Sequence, residues 1–187
     1  ATSILRGPYR VMVTNRDVKT FDDISMLKLR MHPSKLAVST WTHLGADVKT
    51  LAWTDVYQSI QKGIVESVNS PIALVESMRF HEVAPNIIRH DEYYQSIGFM
   101  MNRSKFDALS GDMQDALEKA YFDAGKYSNE VMGSSADESI TRMKANGVTF
   151  VDIDRAPFVT RMKAFYDEME SKGELPDGFL NAVASSR

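Results

Sequence analysis

Three side chains that are cationic or can become so alternate with apolar residues along LKLRMHP, residues 27–33. Lys28, Arg30 and His32 therefore share one face of a predicted strand, because successive side chains of a strand point to opposite faces. A solvated outer face explains such a row on many sheets. The alternative is an anion site at the end of a sheet, since a guanidinium pairs with a carboxylate at two points. The pattern alone leaves both interpretations open.

Other polar and aromatic residues lie at the ends of predicted strands. Arg10 is at the start of the first strand, Trp53 follows the third, and Asn69 and Ser70 end the fourth. Ligands of parallel α/β sheets bind beyond the carboxyl ends of the strands. A guanidinium, an aromatic plate and an amide or hydroxyl together suit a carboxylate with an organic body. The candidate ligand-binding residues are Arg10, Arg30, His32, Trp53, Asn69 and Ser70.

The sequence contains little that indicates catalysis. It has no G-x-S-x-G elbow, no phosphate-binding glycine loop and no H-E-x-x-H motif. The four histidines lack the i, i+4 spacing of a helical metal pair, and the absence of cysteine excludes disulfides, thiolate metal sites and cysteine nucleophiles. We therefore predict no catalytic residue, no metal and no cofactor.

Composition narrows the class of partner. The chain has 187 residues, of which 43% are hydrophobic, and its net charge is −3. No block of Lys and Arg is present, so a nucleic-acid partner is not expected. No apolar run approaches the ~20 residues of a membrane span.

The elements that must position the candidate residues alternate between strand and helix. Residues 27–80 are predicted as three strand–helix repeats, which favours an α/β fold with parallel strands. Residues 92–106 are predicted as one long extended segment. A helix is predicted from Ser110 to about Asn146, with Gly125 and Gly133 as possible bends.

Two further elements complete the prediction. Residues 148–154 alternate like a strand, and an amphipathic helix follows over residues 155–173.

Several segments in order resemble one protein family. The landmarks are PYR, TNRDVKTFDDISMLKLRM, LGADVKTLAWTDVYQSIQKGIVESVNSPIAL and YYQSIGFMMNRSKFDALSGDMQDAL. They are similar to the DctP-type solute-binding proteins of tripartite ATP-independent periplasmic (TRAP) transporters. The resemblance runs through nearly the whole chain and covers rather more than the C-terminal half of such a protein.

The resemblance implies a periplasmic-binding-protein-like fold of two lobes that close on a ligand. One lobe is then nearly complete here, with part of the other and a long connecting helix. We expect residues 8–95 and 136–187 to form the second, C-terminal α/β lobe. Residues 1–7 and 96–135 are expected to belong to the first lobe, whose N-terminal portion, with its signal peptide, is absent from this sequence.

The resemblance also implies roles for the candidate residues. Arg30 matches the arginine that typically forms a two-point salt bridge with the ligand carboxylate, and Arg10 matches a second arginine that assists. Trp53 occupies an aromatic position that packs on the ligand. Asn69-Ser70-Pro71 stands where many members have Glu-Asn-Pro, so an amide replaces an acid and a hydroxyl replaces an amide.

Ordinary structural roles remain as alternatives for the same residues. Trp53 could fill the core, Asn69 and Ser70 could only cap the following helix, and Arg10 could tie the hinge. With the indole, the short polar groups at 69 and 70 favour a ligand with a modestly polar body over a large sugar acid.

The function implied is periplasmic capture of an organic acid and its delivery to the membrane subunits of a TRAP transporter, by a monomer without enzymatic activity. The alternative is an α/β enzyme acting on a carboxylate substrate. That enzyme would need an acid, base or nucleophile near Arg30, and the sequence offers only His32.

Overall fold

The computed structural model describes residues 5–185, with the backbone alone for residues 5–9 and 94–97. The predicted placement of residues 1–7 in another lobe therefore lies partly outside the described residues. The strands are β1 (Leu5–Thr14), β2 (Lys28–Met31), β3 (Asp47–Thr50), β4 (Ser67–Pro71), β5 (Asn86–Arg89), β6 (Tyr94–Ile97) and β7 (Thr149–Asp152). The α-helices are α1 (Lys35–His43), α2 (Val56–Gln61), α3 (Ile72–Ser77), α4 (Arg103–Asp107), α5 (Gly111–Ala145), α6 (Ala156–Ser171) and α7 (Phe179–Ser185).

The strands form one mixed sheet in the order β3-β2-β4-β1-β5-β7, and β6 pairs with the first part of β1. Strand β2 lies between β3 and β4 and is parallel to both, which confirms the parallel pairing predicted for residues 27–80. Strand β1 is antiparallel to β4 and β5, with Arg10 opposite Pro71 and Met12 opposite Asn69. Arg10 is thus brought to the edge where β4 ends.

Two apolar clusters cover the two faces of the sheet. The first contains Val11, Val13, Val68 and Ile87, and the second contains Met12, Leu29, Met31, Trp41 and Ile88. Consecutive residues of β1 and β5 fall in different clusters because side chains alternate across a strand. The sheet is therefore buried on both faces, as expected for strands connected by crossover helices.

Turn chemistry explains where the helices begin and end. The Ser34 side chain accepts a hydrogen bond from the Ala37 N–H at the start of α1. Gly45 and Gly147 follow α1 and α5 with φ of +102° and +82°. Residues with a Cβ rarely adopt this conformation, so glycine ends both helices where the sequence predicts.

Helix α5 is continuous from Gly111 to Ala145, so the bends considered at Gly125 and Gly133 are not formed. Only its C-terminal part joins the first apolar cluster, through Ala136, Ile140 and Met143.

The predicted extended segment over residues 92–106 is wrong in length. Strand β6 covers only Tyr94–Ile97, and α4 begins at Arg103 after an Asn102 side chain that accepts from the Lys105 N–H. The aromatic and Met residues gave a strong strand signal, but the Asn cap started a helix within it.

Candidate carboxylate-binding site

Arg30 lies on β2 next to Val68 of β4 and is only 6% exposed. Lys28 and His32 are exposed, so the solvated-face interpretation holds for them and fails for Arg30. Strand alternation places Arg30 on the face opposite Leu29 and Met31, toward the first apolar cluster. A guanidinium is therefore buried against an apolar face near the carboxyl end of a central strand.

Two neighbours hold the Arg30 side chain. Its Nε and Nη2 donate to the carbonyl oxygen of Leu51 at 3.0 and 2.8 Å. Its Cζ lies 5.2 Å from the centre of the Trp53 ring, within the range of a cation–π contact. Trp53 begins a short 3-10 turn directly after β3 and packs edge-on against Phe80, with ring centres 5.2 Å apart. We call Arg30, Leu51 and Trp53 the Arg30 corner.

Arg30 has no acidic partner among the residues that the structure describes. Burial and the positive charge of Arg10 both lower the pKa of Arg30. The influence of Arg10 means that the two arginines lie within electrostatic reach of each other. The Arg30 corner therefore holds a buried cation that the described protein does not neutralise.

A second polar group lies on the opposite face of the sheet. Arg10 Nη2 donates to the Asn69 carbonyl oxygen at 2.7 Å, and Arg10 Nε lies 3.4 Å from Glu92 Oε2. Asn69 Nδ2 donates to the same Glu92 oxygen at 3.4 Å, and Trp41 Nε1 donates to Glu92 Oε1 at 2.7 Å. With His90, whose ring lies 5.4 Å from Trp41, these residues form what we call the Glu92 cluster.

Burial shifts the acid–base equilibria of the Glu92 cluster. The pKa of His90 is lowered to about 3 by burial and by Arg10, so the ring is neutral. Burial raises the pKa of Glu92, and the donors from Trp41, Arg10 and Asn69 oppose that rise. Desolvation and the charges of Arg10 and Arg30 lower the pKa of His32, which keeps that ring neutral as well.

The structure brings together most, but not all, of the six residues predicted for the site. Arg30 contacts Trp53, Arg10 contacts Asn69, and His32 lies in the field of both arginines. Ser70 is fully buried and its hydroxyl donates to the Pro71 carbonyl oxygen at 3.1 Å, so it is engaged by the backbone.

Glu92 was missed by sequence reasoning. It lies in the connection between β5 and β6, inside the segment predicted as a long strand, and nothing nearby in sequence marks it as a partner of Arg10. The useful signal is indirect, since an acid is missing at Asn69 and a buried arginine close to it needs one. The antiparallel pairing of β1 with β5 and with β6 brings the two together.

Two absences hold for residues 5–185. No helix there is long and apolar enough to cross a membrane. The same residues contain no group of three or more His, Asp or Glu side chains placed to hold a metal ion.

Residues 5–172 match the family model of the bacterial extracellular solute-binding proteins, family 7, the DctP family. The chain therefore belongs to this family. Its members bind solutes, and the match gives no support to the enzyme alternative.

Curated relatives agree with this assignment. The chain is 29% identical over 158 residues to a solute-binding protein of Roseobacter denitrificans, covering 84% of this chain and 48% of that one. It is 26% identical over 168 residues to the C4-dicarboxylate-binding periplasmic protein DctP of Rhodobacter capsulatus, covering 88% and 50%. The chain thus spans about half the length of these relatives.

Solved structures have the same fold. A TRAP periplasmic solute-binding protein of Citrobacter koseri with bound D-glucuronate matches with a TM-score of 0.87 at 21% identity, over 99% of this chain and 60% of that one. A counterpart from Roseobacter denitrificans with bound β-D-glucuronate matches with a TM-score of 0.86 at 23% identity, over 93% and 59%. These matches confirm the predicted α/β solute-binding fold, with one lobe and part of another present.

Proposed function

We propose that this chain is part of a periplasmic protein that captures an organic acid and delivers it to the membrane subunits of a TRAP transporter. Binding without chemistry is the proposed activity, and a monomer is the proposed state. Nucleic acid is not a proposed partner, since the net charge is −3 and no basic block is present.

The observation that carries the proposal is the buried, uncompensated charge of Arg30. A buried charge without a partner is costly, and natural proteins seldom retain one that has no use. A ligand carboxylate would supply the missing negative charge and accept two parallel N–H bonds. The Trp53 ring beside the guanidinium would pack on the organic body of the ligand.

The hydrogen bonds of Asn69 and Ser70 bear on how polar the ligand is beyond its carboxylate. The Asn69 amide donates to Glu92, and the Ser70 hydroxyl donates to the backbone. The Ser70 hydroxyl therefore needs no ligand partner, whereas the Asn69 Oδ1 atom is buried without a hydrogen-bond partner among the described residues. A single unpaired acceptor at this position suits a carboxylate with a modestly polar body, which we propose.

We also propose the predicted lobe boundaries. Contacts of α5 with the first apolar cluster involve Ala136, Ile140 and Met143, which supports a change of lobe near residue 136. The exposed apolar residues Met113 and Phe122 are consistent with a preceding part of the helix that belongs elsewhere.

Binding and turnover can be measured separately on the full-length protein. A screen of small aliphatic, keto, hydroxy and sugar acids should give at least one acid that raises the Tm, because a ligand bound only by the folded state stabilises it. Chromatography of the same mixture should recover the acid unchanged. A screen in which no organic acid changes the Tm contradicts the proposal, and consumption of the acid would favour the enzyme alternative.

A further inference from the structure

We infer that the site selects a ligand with a single negative charge and that Glu92 is the residue that sets this limit. The inference rests on the proposed function, because it names the class of organic acid that the same site accepts.

The inference begins with the charges gathered at this edge of the sheet. Arg10 and Arg30 contribute two positive charges, and Glu92 contributes one negative charge at 3.4 Å from Arg10. Nearby Lys49 is paired with Asp47 at 2.8 Å. The two histidines close to the arginines are neutral near pH 7. Over the described residues, the site therefore carries a net charge of about +1.

The contacts of Glu92 indicate that it is ionised. Trp41 Nε1 donates to one carboxylate oxygen at 2.7 Å, and Asn69 Nδ2 and Arg10 Nε approach the other at 3.4 Å. A protonated carboxyl group would need an acceptor for its own hydrogen, whereas these three neighbours are donors. The neutral ring of His90 also has an acceptor nitrogen, but its Nε2 lies 3.9 Å from Glu92 Oε2, which is beyond hydrogen-bond distance. The negative charge of Glu92 therefore pairs with Arg10, which would otherwise attract a second carboxylate of the ligand.

The resemblance to the family does not predict that Glu92 lies next to Arg10 and Asn69. Asn69 replaces the acid of the Glu-Asn-Pro segment, and Glu92 reaches the Asn69 amide from the connection between β5 and β6. An internal carboxylate thus lies next to Arg10, and it comes from a different element of the chain than Asn69.

A ligand with one carboxylate would neutralise Arg30 and leave the site without net charge. A second carboxylate would enter beside the like charge of Glu92 and find Arg10 already paired. Discrimination of this kind depends on an unfavourable element placed against the wrong ligand. Arg30 therefore provides the attraction, and Glu92 provides the rejection of diacids.

The experiment uses pairs of ligands that differ mainly in one charge. Succinamate and succinate form one pair, and D-glucuronate and D-glucarate form a second pair with a hydroxylated body. Calorimetry on the full-length protein should show that the monoacid of at least one pair binds, and that its diacid binds at least tenfold more weakly.

Glu92→Gln is the decisive variant, because the amide keeps the size of the side chain and an acceptor for Trp41 while it removes the charge. We expect the ratio of monoacid to diacid affinity to decrease by about tenfold. The reason is that the repulsion between two negative charges a few ångströms apart is on the order of 1 kcal/mol or more. Glu82→Gln is the matched control, since Glu82 pairs with Arg79 at the surface and the change in net charge is the same. That control should keep the wild-type preference.

The outcomes separate this inference from the proposed function. Equal or tighter binding of the diacid by the wild-type protein overturns the inference and leaves the proposed function intact. An unchanged preference in folded Glu92→Gln removes Glu92 from the explanation. Failure of all four acids and of the wider acid screen would contradict both. If Glu92→Gln does not fold, the wild-type preference decides the selection for one charge, and Glu92→Asp, which keeps the charge, should retain it.

Discussion

The Arg30 corner and the Glu92 cluster each bury an arginine beside an aromatic ring, yet they treat the charge differently. Arg10 has Glu92 at 3.4 Å, whereas among the described residues Arg30 has a carbonyl oxygen and the face of an indole but no acid. A buried ion pair can serve structure, whereas a buried cation without a counter-ion requires another explanation. The contrast supports our proposal that Arg30, and not Arg10, is the arginine that pairs with the ligand carboxylate.

The two regions also differ in how they are built. The Arg30 corner uses residues from β2 and from the turn after the adjacent strand, all within residues 30–53. The Glu92 cluster joins residues from β1, α1, β4 and the connection after β5. Loss of one member should therefore disturb stability mainly in the cluster and binding mainly in the corner.

The largest expected effect is on folding. Arg10→Met leaves the Glu92 carboxylate buried without its cation, and removal of one partner of a buried pair typically lowers the free energy of unfolding by about 3–5 kcal/mol. Urea denaturation would measure the loss. The surface variant Arg89→Met, which breaks a pair with Asp152, should lose less than ~1 kcal/mol. Equal losses in both variants would remove the distinction between the cluster and the surface.

The second effect is on binding. Arg30→Lys exchanges a two-point guanidinium for an ammonium group, and truncating a buried, hydrogen-bonded charge partner costs about 2–5 kcal/mol of binding free energy. Calorimetry with the acid identified by thermal shift would measure this. Arg89→Lys provides a charge-conserving surface control, and an affinity in Arg30→Lys equal to that of the control would exclude Arg30 from the site.

The third effect depends on pH and concerns His90. Its folded pKa of about 3 lies below the ordinary value of 6.5. Between these values the unfolded chain binds a proton that the folded protein excludes, so the free energy of unfolding falls as the pH falls below 6.5. The expected loss is about 2 kcal/mol between pH 8 and pH 5.

His90→Gln removes this titration and serves as the comparison. Glu92, whose folded pKa is raised, acts in the opposite direction by losing stability as the pH rises. The difference between wild type and His90→Gln therefore isolates the histidine. Parallel pH profiles for the two proteins would show that His90 titrates normally in the folded state.

The smallest effect concerns the aromatic rings. Trp53→Leu removes the plate beside Arg30 and should weaken ligand binding by about 1 kcal/mol. Tyr93 lies 5.4 Å from Arg10 Cζ, so Tyr93→Leu makes the same kind of change at the arginine that is already paired. Binding should change much less in Tyr93→Leu. If Tyr93→Leu weakened binding more than Trp53→Leu, the ligand would have to be assigned to Arg10 and not to Arg30.

Local signals predicted most of the elements well. Ser34 with Gly45 bounded α1, and the strand–helix alternation over residues 27–80 gave the parallel pairing. Prediction failed where two local signals conflicted, as at Asn102, whose helix cap lies within a segment of strand-forming residues. The Arg30 corner could be predicted because Arg30 and Trp53 lie on or just after adjacent strands that a single crossover connects.

The sequence by itself determined the α/β class, the family and the presence of arginines at strand ends, because these depend on periodicity, turn residues and short motifs. Only the tertiary structure decided which arginine is paired. That outcome depends on the register that sets Met12 opposite Ile88 and so brings the connection after β5 to Arg10. Residues 82 positions apart cannot be matched from local patterns, since electrostatic pairing acts through space and its partner is chosen by the folded sheet.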